Sequence, residues 1–350
     1  MTNLEGSLDI QGLAGPLRLS VKKAYPNRQD LRVSDLCRIA DGWECDVYAF
    51  TVASREAGEP RHDNLILRLY QGDRGAAKAS TEFEAMRGLR DAGYPVPQVH
   101  FLETDPSQLG KSFIIMERIA GETLGTLIAQ STGPERQRYL RLFAKLFVDL
   151  HRLDWQRFVP DSSHDQLTGD VDRWLNGAAA FLDRFETPDF DEAFGWLGER
   201  AASIPPHPLA FVHQDFHPFN VLVRADGAPF VIDWTQADVS DPRLDLAWTL
   251  LLMRTIYGPD LRDGCLRDYE NLAGAPVEAI EFFEAAAAVK RLASILISLR
   301  QGADKLGMRP GAEAQMTGQK RHLATAADVL RERTGLRIPA IDVLLGDLAS

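Results

Sequence analysis

Residues 211–234 read FVHQDFHPFNVLVRADGAPFVIDW, and this stretch restricts the possible folds more than any other in the chain. Residues 221–223 and 230–232 are short apolar runs. The Asp226-Gly227 pair between them is a strong hairpin signal, because Asp and Gly tolerate the left-handed backbone a two-residue turn needs. A hairpin folds the chain back on itself. Asn220 at its entry and Asp233 at its exit can therefore come together. Ahead of it an apolar lead-in ends at His213, with Asp215 two residues later and Asn220 five residues after that.

These residue types suit phosphoryl transfer. Magnesium neutralises phosphate charge and prefers a few oxygen ligands completed by water. Asn220 and Asp233 offer one amide and one carboxylate oxygen, and are the candidate metal ligands. A carboxylate kept off the metal can orient a substrate hydroxyl and accept its proton. Asp215 is the candidate base. His213 joins it among the catalytic-loop residues, placed to brace a tight loop rather than to carry protons.

Upstream, the chain is strand-rich. Residues 47–52 and 65–70 are β-prone runs separated by a polar stretch, 53–64, and residues 99–102 and 112–117 resemble two more strands. A helix is expected over 76–92, with Phe83, Met86 and Leu89 at three-residue spacing and a stop at Gly93 and Pro95. That order predicts an antiparallel sheet with one helix on its face. Past Gly121 the pattern turns helical. Tyr139, Leu142, Phe143, Leu146, Phe147 and Leu150 make one stripe over 134–153, and further helices are expected over 241–256, 277–300 and 311–333. The fold class is therefore α+β: a small antiparallel-sheet lobe over 35–119 and a larger helical lobe over 120–350. Residues 1–34 form a leading extension or helix.

The His213-x-Asp215 loop, Asn220 and the aspartate of Ile232-Asp233-Trp234 together resemble the catalytic loop and metal-binding aspartate of the protein-kinase-like fold. Within that fold they are most similar to the aminoglycoside/choline kinase branch. SDPRLDLAW, residues 240–248, resembles the branch's GDPxxDLA segment with Ser240 for glycine, which implies that Asp245 hydrogen-bonds the catalytic loop from a helix start. HRLDW, residues 151–155, resembles the helix end that precedes the catalytic region. In the amino-terminal lobe the resemblance places Gly42 in the phosphate-covering loop, although only one glycine is present. Arg68 stands where the ATP-binding lysine is expected, and still offers a positive fork to phosphate oxygens. Glu82 is its expected helix partner, with Glu84 the competitor. Glu117, Arg118 and Ile119 lie where backbone groups read adenine. The resemblance thus implies an ATP- and Mg-dependent kinase of a small-molecule hydroxyl, with the acceptor held by the helical lobe. Asp238, Asp241 and Asp154 are acceptor-site candidates by nearness to the motif.

Composition narrows the alternatives. Net charge is −11, which disfavours a nucleic-acid partner. No apolar run approaches a membrane span, no secretory signal is visible, and Cys37, Cys45 and Cys265 lack metal or disulfide spacing, so a cytoplasmic protein is expected. Two other functions compete. His213, Asp215 and His217 could ligate the metal of a hydrolase, although no HExxH accompanies them. A kinase-fold binding or regulatory protein without catalysis is the other, against which stands the presence of Asp215, Asn220 and Asp233 together.

Overall fold

The computed structural model describes residues 10–41, 45–159, 171–306 and 320–347. They divide into two compact units, one running to Ala120 and one beginning at Gly121.

The first unit contains helix α1 (Ile10–Ala24), strands β1 (Gln29–Asp41), β2 (Cys45–Glu56) and β3 (Glu59–Tyr70), helix α2 (Gly75–Asp91), and strands β4 (Val99–Glu103) and β5 (Phe113–Glu117). The strands form one antiparallel sheet in the order β1-β2-β3-β5-β4. Strand β3 shows how the sequence makes two faces. Side chains alternate along a strand, so Leu65, Leu67 and Leu69 share one face. There they pack with Leu13, Leu17 and Val21 of α1. Each such buried leucine contributes roughly 2 kcal/mol. Arg68 and Tyr70 take the opposite face, where both engage Glu82 of α2.

The sheet therefore carries a helix on each face rather than one. The strands also run beyond the apolar runs at 47–52 and 65–70. β2 and β3 continue through the polar stretch to a two-residue turn at Ala57-Gly58, whose φ angles of 50° and 87° are both left-handed. The exposed arms of this hairpin need no apolar residue, which is why the sequence reads as a connection. β1 starts ahead of residue 35, and three register irregularities against β2 break its alternation.

The second unit opens with β6 (Gly121–Thr123), α3 (Leu124–Gln130), α4 (Gly133–His151), α5 (Val171–Arg184) and α6 (Asp191–Ala201). It continues with β7 (Ala210–Val212), β8 (Val221–Arg224), β9 (Pro229–Val231), β10 (Asp238–Ser240) and α7 (Pro242–Tyr257). The remaining helices are α8 (Pro259–Ala273), α9 (Ile280–Gln301), α10 (Lys320–Thr334) and α11 (Pro339–Asp347). β6, β8 and β9 form a small sheet, and β7 pairs with β10. Gly121 sits opposite Arg224, and a Cβ there would lie 2.4 Å from the Val223 carbonyl oxygen, so only glycine permits this approach. Phe147 of α4 stacks on Phe216 at 4.3 Å between centroids, fixing the helix against the loop that follows β7.

Helices α3, α5, α6, α8 and α11 have no counterpart in the sequence reading. The buried positions of α8 are Arg262, Cys265 and Tyr269, a helical stripe made of residues that do not register as apolar. Of the helix expected over 311–333, residues 311–319 lie outside the described residues. All three cysteines are free, and no helix among the described residues is long and apolar enough to cross a membrane.

Candidate active site

The loop after β7 is held from below by one carboxylate. Asp245 lies in the first turn of α7, whose start is set by Asp241 as N-cap and Pro242 behind it. Its two oxygens accept from the backbone N–H of His213 and of Gln214, each at 2.8 Å. Gln214 takes a left-handed φ of 65°, which turns both amides toward that carboxylate. His151, at the end of α4, places Nε2 3.3 Å from the same carboxylate and Nδ1 2.8 Å from the Tyr269 hydroxyl.

His213 is fully buried and has both ring nitrogens engaged. Nδ1 accepts from the Asp215 N–H at 3.2 Å, which leaves the proton on Nε2, 3.0 Å from the Ile232 carbonyl oxygen. It ties the loop to the strand end before Asp233. A ring so occupied can neither touch a substrate nor ligate a metal, so its place here is a brace, and the hydrolase reading loses its first ligand.

Asp215 faces outward, with its side chain 31% exposed. Trp248 Nε1 donates to its Oδ1 at 2.9 Å, and His217 Nε2 stands 3.7 Å from its Oδ2. Burial alone would push the carboxyl up. The hydrogen bonding and charge of His217, together with the Trp248 N–H, outweigh it and hold Asp215 well below the usual carboxylate range.

Asn220 ends the short 3-10 turn Pro218–Asn220. Its Nδ2 donates to the Asp215 carbonyl at 3.0 Å, which leaves Oδ1 as the atom available to a cation. The hairpin forms around Asp226-Gly227, and Ile232 N–H donates to the Asn220 carbonyl at 2.9 Å. Asn220 and Asp233 therefore bracket the same end of the hairpin. Asp233 adopts a left-handed φ of 70°, a conformation that non-glycine residues hold at some cost and that clusters at functional positions. An amide and a carboxylate oxygen, with no group of three or more His, Cys, Asp or Glu among the described residues, form a donor set that fits magnesium and not zinc.

In the first unit Arg68 and Glu82 form a buried ion pair at 3.2 Å, with Glu82 fully buried. The Tyr70 hydroxyl donates to the other Glu82 oxygen, and burial followed by the neighbouring carboxylate pushes the phenol well up. Glu84 is exposed and lies 3.5 Å from Arg87. Glu117 closes β5, exchanging hydrogen bonds with Gln98, and Ile119 follows just past the strand. Gly42 lies outside the described residues. Nearby Asp46 is buried and paired with Arg38 and Lys111.

A cavity of about 360 Å³ lies in the second unit among α5, α6, α9 and the catalytic loop. Gln214, Asp238 and Asp241 line it. Asp154 does not: it caps the 3-10 turn Trp155–Phe158 by accepting from the Gln156 N–H. In the sequence, Trp248 and His151 stand out only as ends of the 240–248 and 151–155 segments, Lys290 not at all, and His217 only as a possible metal ligand. For Trp248 a signal exists, since it follows Asp245 by three positions on one helix and so shares its face.

Solved structures show what class of protein is built this way. A GDP complex of a point mutant of aminoglycoside 2′-phosphotransferase IIIa superposes with a TM-score of 0.61 at 14% identity, covering 90% of this chain and 98% of that one. An ethanolamine kinase of Plasmodium vivax gives 0.60 at 12% identity, covering 87% and 83%. The fold is thus protein-kinase-like, of the kind used by kinases of small molecules. The chain belongs to the phosphotransferase enzyme family (APH), whose profile matches residues 35–283. Acyl-CoA dehydrogenase family member 11 of Gallus gallus is 27% identical over 183 residues, a match covering 49% of this chain and only 23% of that longer protein.

Proposed function

We propose that the protein transfers the γ-phosphoryl group of ATP to an alcohol hydroxyl of a small molecule. The observation that supports this most is Asp215: an ionised, outward-facing carboxylate pinned at one oxygen by Trp248, on a loop fixed by Asp245 and His213. Such a group orients an acceptor hydroxyl and takes its proton as the oxygen attacks the γ-phosphorus and ADP departs. Asn220 and Asp233 would hold magnesium, which when bound neutralises the phosphate oxygens. Arg68, oriented by Glu82, would supply a fixed guanidinium fork to the nucleotide phosphates, and Glu117 and Ile119 backbone groups to the base.

The test is a screen of hydroxyl-bearing metabolites and antibiotics with Mg·ATP, and separately Mg·GTP, read as ADP or GDP formation and as a new phosphate-ester signal by phosphorus NMR. The expected result is a stoichiometric phosphate ester. Nucleotide binding without ester from any acceptor would favour a binding protein without catalysis.

A further inference from the structure

The cavity beside the catalytic loop carries charges of both signs that are unequally paired. Its walls are apolar: Trp174 and Phe194 stack, and Leu182, Val289 and Ala293 complete them. Phe181 also lines it, and stays 37% exposed despite its size. Among the described residues, four charged ones line the cavity, two acidic and two basic. Asp241 is consumed by Arg243, which holds both its oxygens at 2.7–3.1 Å while it caps α7. Asp238 accepts from the Val239 N–H and stands 4.0 Å from Arg173.

Lys290 is different. Its ammonium lies 4.7 Å above the Trp248 ring, and among the described residues it has no hydrogen bond and no carboxylate in ion-pair contact. The ring that carries it is the ring whose N–H binds Asp215. A cation thus sits one indole away from the candidate base, partly buried and within the electrostatic reach of Asp215 and Asp245, yet among the described residues in direct contact with no carboxylate. An ammonium in such surroundings gains most from a ligand anion, because the pair forms where water is scarce.

Building on the phosphotransferase reading, we propose that this cavity is the acceptor site. It takes a hydroxyl compound with an apolar body and a carboxylate or similar anion, the anion meeting Lys290. The same lining disfavours polycationic acceptors such as kanamycin, since each ammonium would need a carboxylate and both cavity acids already face arginines. Trp174, Phe181 and Phe194 fit the body by area, and the anion orients it so that the hydroxyl is presented toward Gln214, the catalytic-loop residue next to Asp215.

The experiment uses the full chain and matched probes: 3-hydroxyoctanoate and phenyllactate, the amide of each, the corresponding amino alcohols, and kanamycin. Binding is measured by calorimetry without nucleotide, and turnover by ADP release with Mg·ATP. The carboxylates are expected to bind about tenfold or more tighter than their amides, with amino alcohols and kanamycin weakest. Lys290→Met should abolish the carboxylate preference while leaving amide binding unchanged, and Phe181→Ser should weaken acid and amide alike. Tightest binding of kanamycin or an amino alcohol would overturn the proposal. So would a carboxylate preference that survives in Lys290→Met, or a Lys290→Met defect confined to the KM for ATP, which would give Lys290 to the nucleotide. If the carboxylate preference holds in calorimetry while neither these probes nor the acceptor screen yields ADP, the cavity's anion preference stands and the phosphotransferase reading is the part that failed.

Discussion

The indole N–H of Trp248 points at one oxygen of Asp215 from 2.9 Å, so the residue proposed as base is held by a donor that can never accept a proton. That contact stabilises the carboxylate more than the neutral acid. Trp248→Phe keeps the ring and removes the donor. Asp215 should then ionise at higher pH, because a hydrogen bond to its carboxylate has been lost. The acid limb of the pH–rate profile for turnover should shift upward, with near-native activity on its alkaline side. A profile whose acid limb does not move would show that the hydrogen bond does not set the ionisation of Asp215.

The metal ligands should separate by charge. Asp233→Ala removes a charged ligand and should weaken both Mg·ATP binding and turnover. Asn220→Ala should do the same less severely, since an amide contributes no formal charge. Titrating activity against magnesium reads both. Unchanged magnesium dependence in the two variants would remove the grounds for naming them.

Arg68 tests a departure from the expected lysine. Arg68→Met should raise the KM for ATP about tenfold and lower turnover, and Arg68→Lys should be much milder. Glu82→Gln should reproduce part of the Arg68→Met defect, because it unpairs the guanidinium it orients. Glu84→Gln should do little, as Glu84 meets Arg87 at the surface. Steady-state ATP kinetics on the four variants check the set.

Asp245 carries stability as well as geometry. Asp245→Ala strips acceptors from two loop N–H groups and from the His151 ring. The expected cost is about 2–4 kcal/mol in urea denaturation, together with loss of turnover. A variant of native stability and activity would mean the loop holds its shape without this carboxylate.

The hairpin was legible because its signal is local: Asp226-Gly227 sets the turn, and the apolar runs on either side set the strands. Arg68 and Glu82 were legible through resemblance, and β3 shows the physical reason, since strand alternation turns Arg68 away from the Leu65, Leu67 and Leu69 face and toward α2. The order of residues did not reveal Lys290. It lies on α9, far along the chain from Trp248, and only the packing of α7 against α9 brings its ammonium over that ring. The polar arms of β2 and β3 were hidden for another reason. A hairpin that projects into solvent pairs its backbone without apolar side chains, so hydrophobic periodicity cannot mark it.

The central claim is that Asp215 acts on the acceptor and not on the nucleotide. The most direct measurement compares wild type and Asp215→Asn in phosphate-ester formation from Mg·ATP, followed by phosphorus NMR with the fastest acceptor from the screen, alongside calorimetric binding of Mg·ATP. The account predicts a turnover loss of roughly a hundredfold to ten-thousandfold with nearly unchanged ATP affinity. Turnover at the wild-type rate in Asp215→Asn, or a defect explained entirely by lost nucleotide binding, would contradict it.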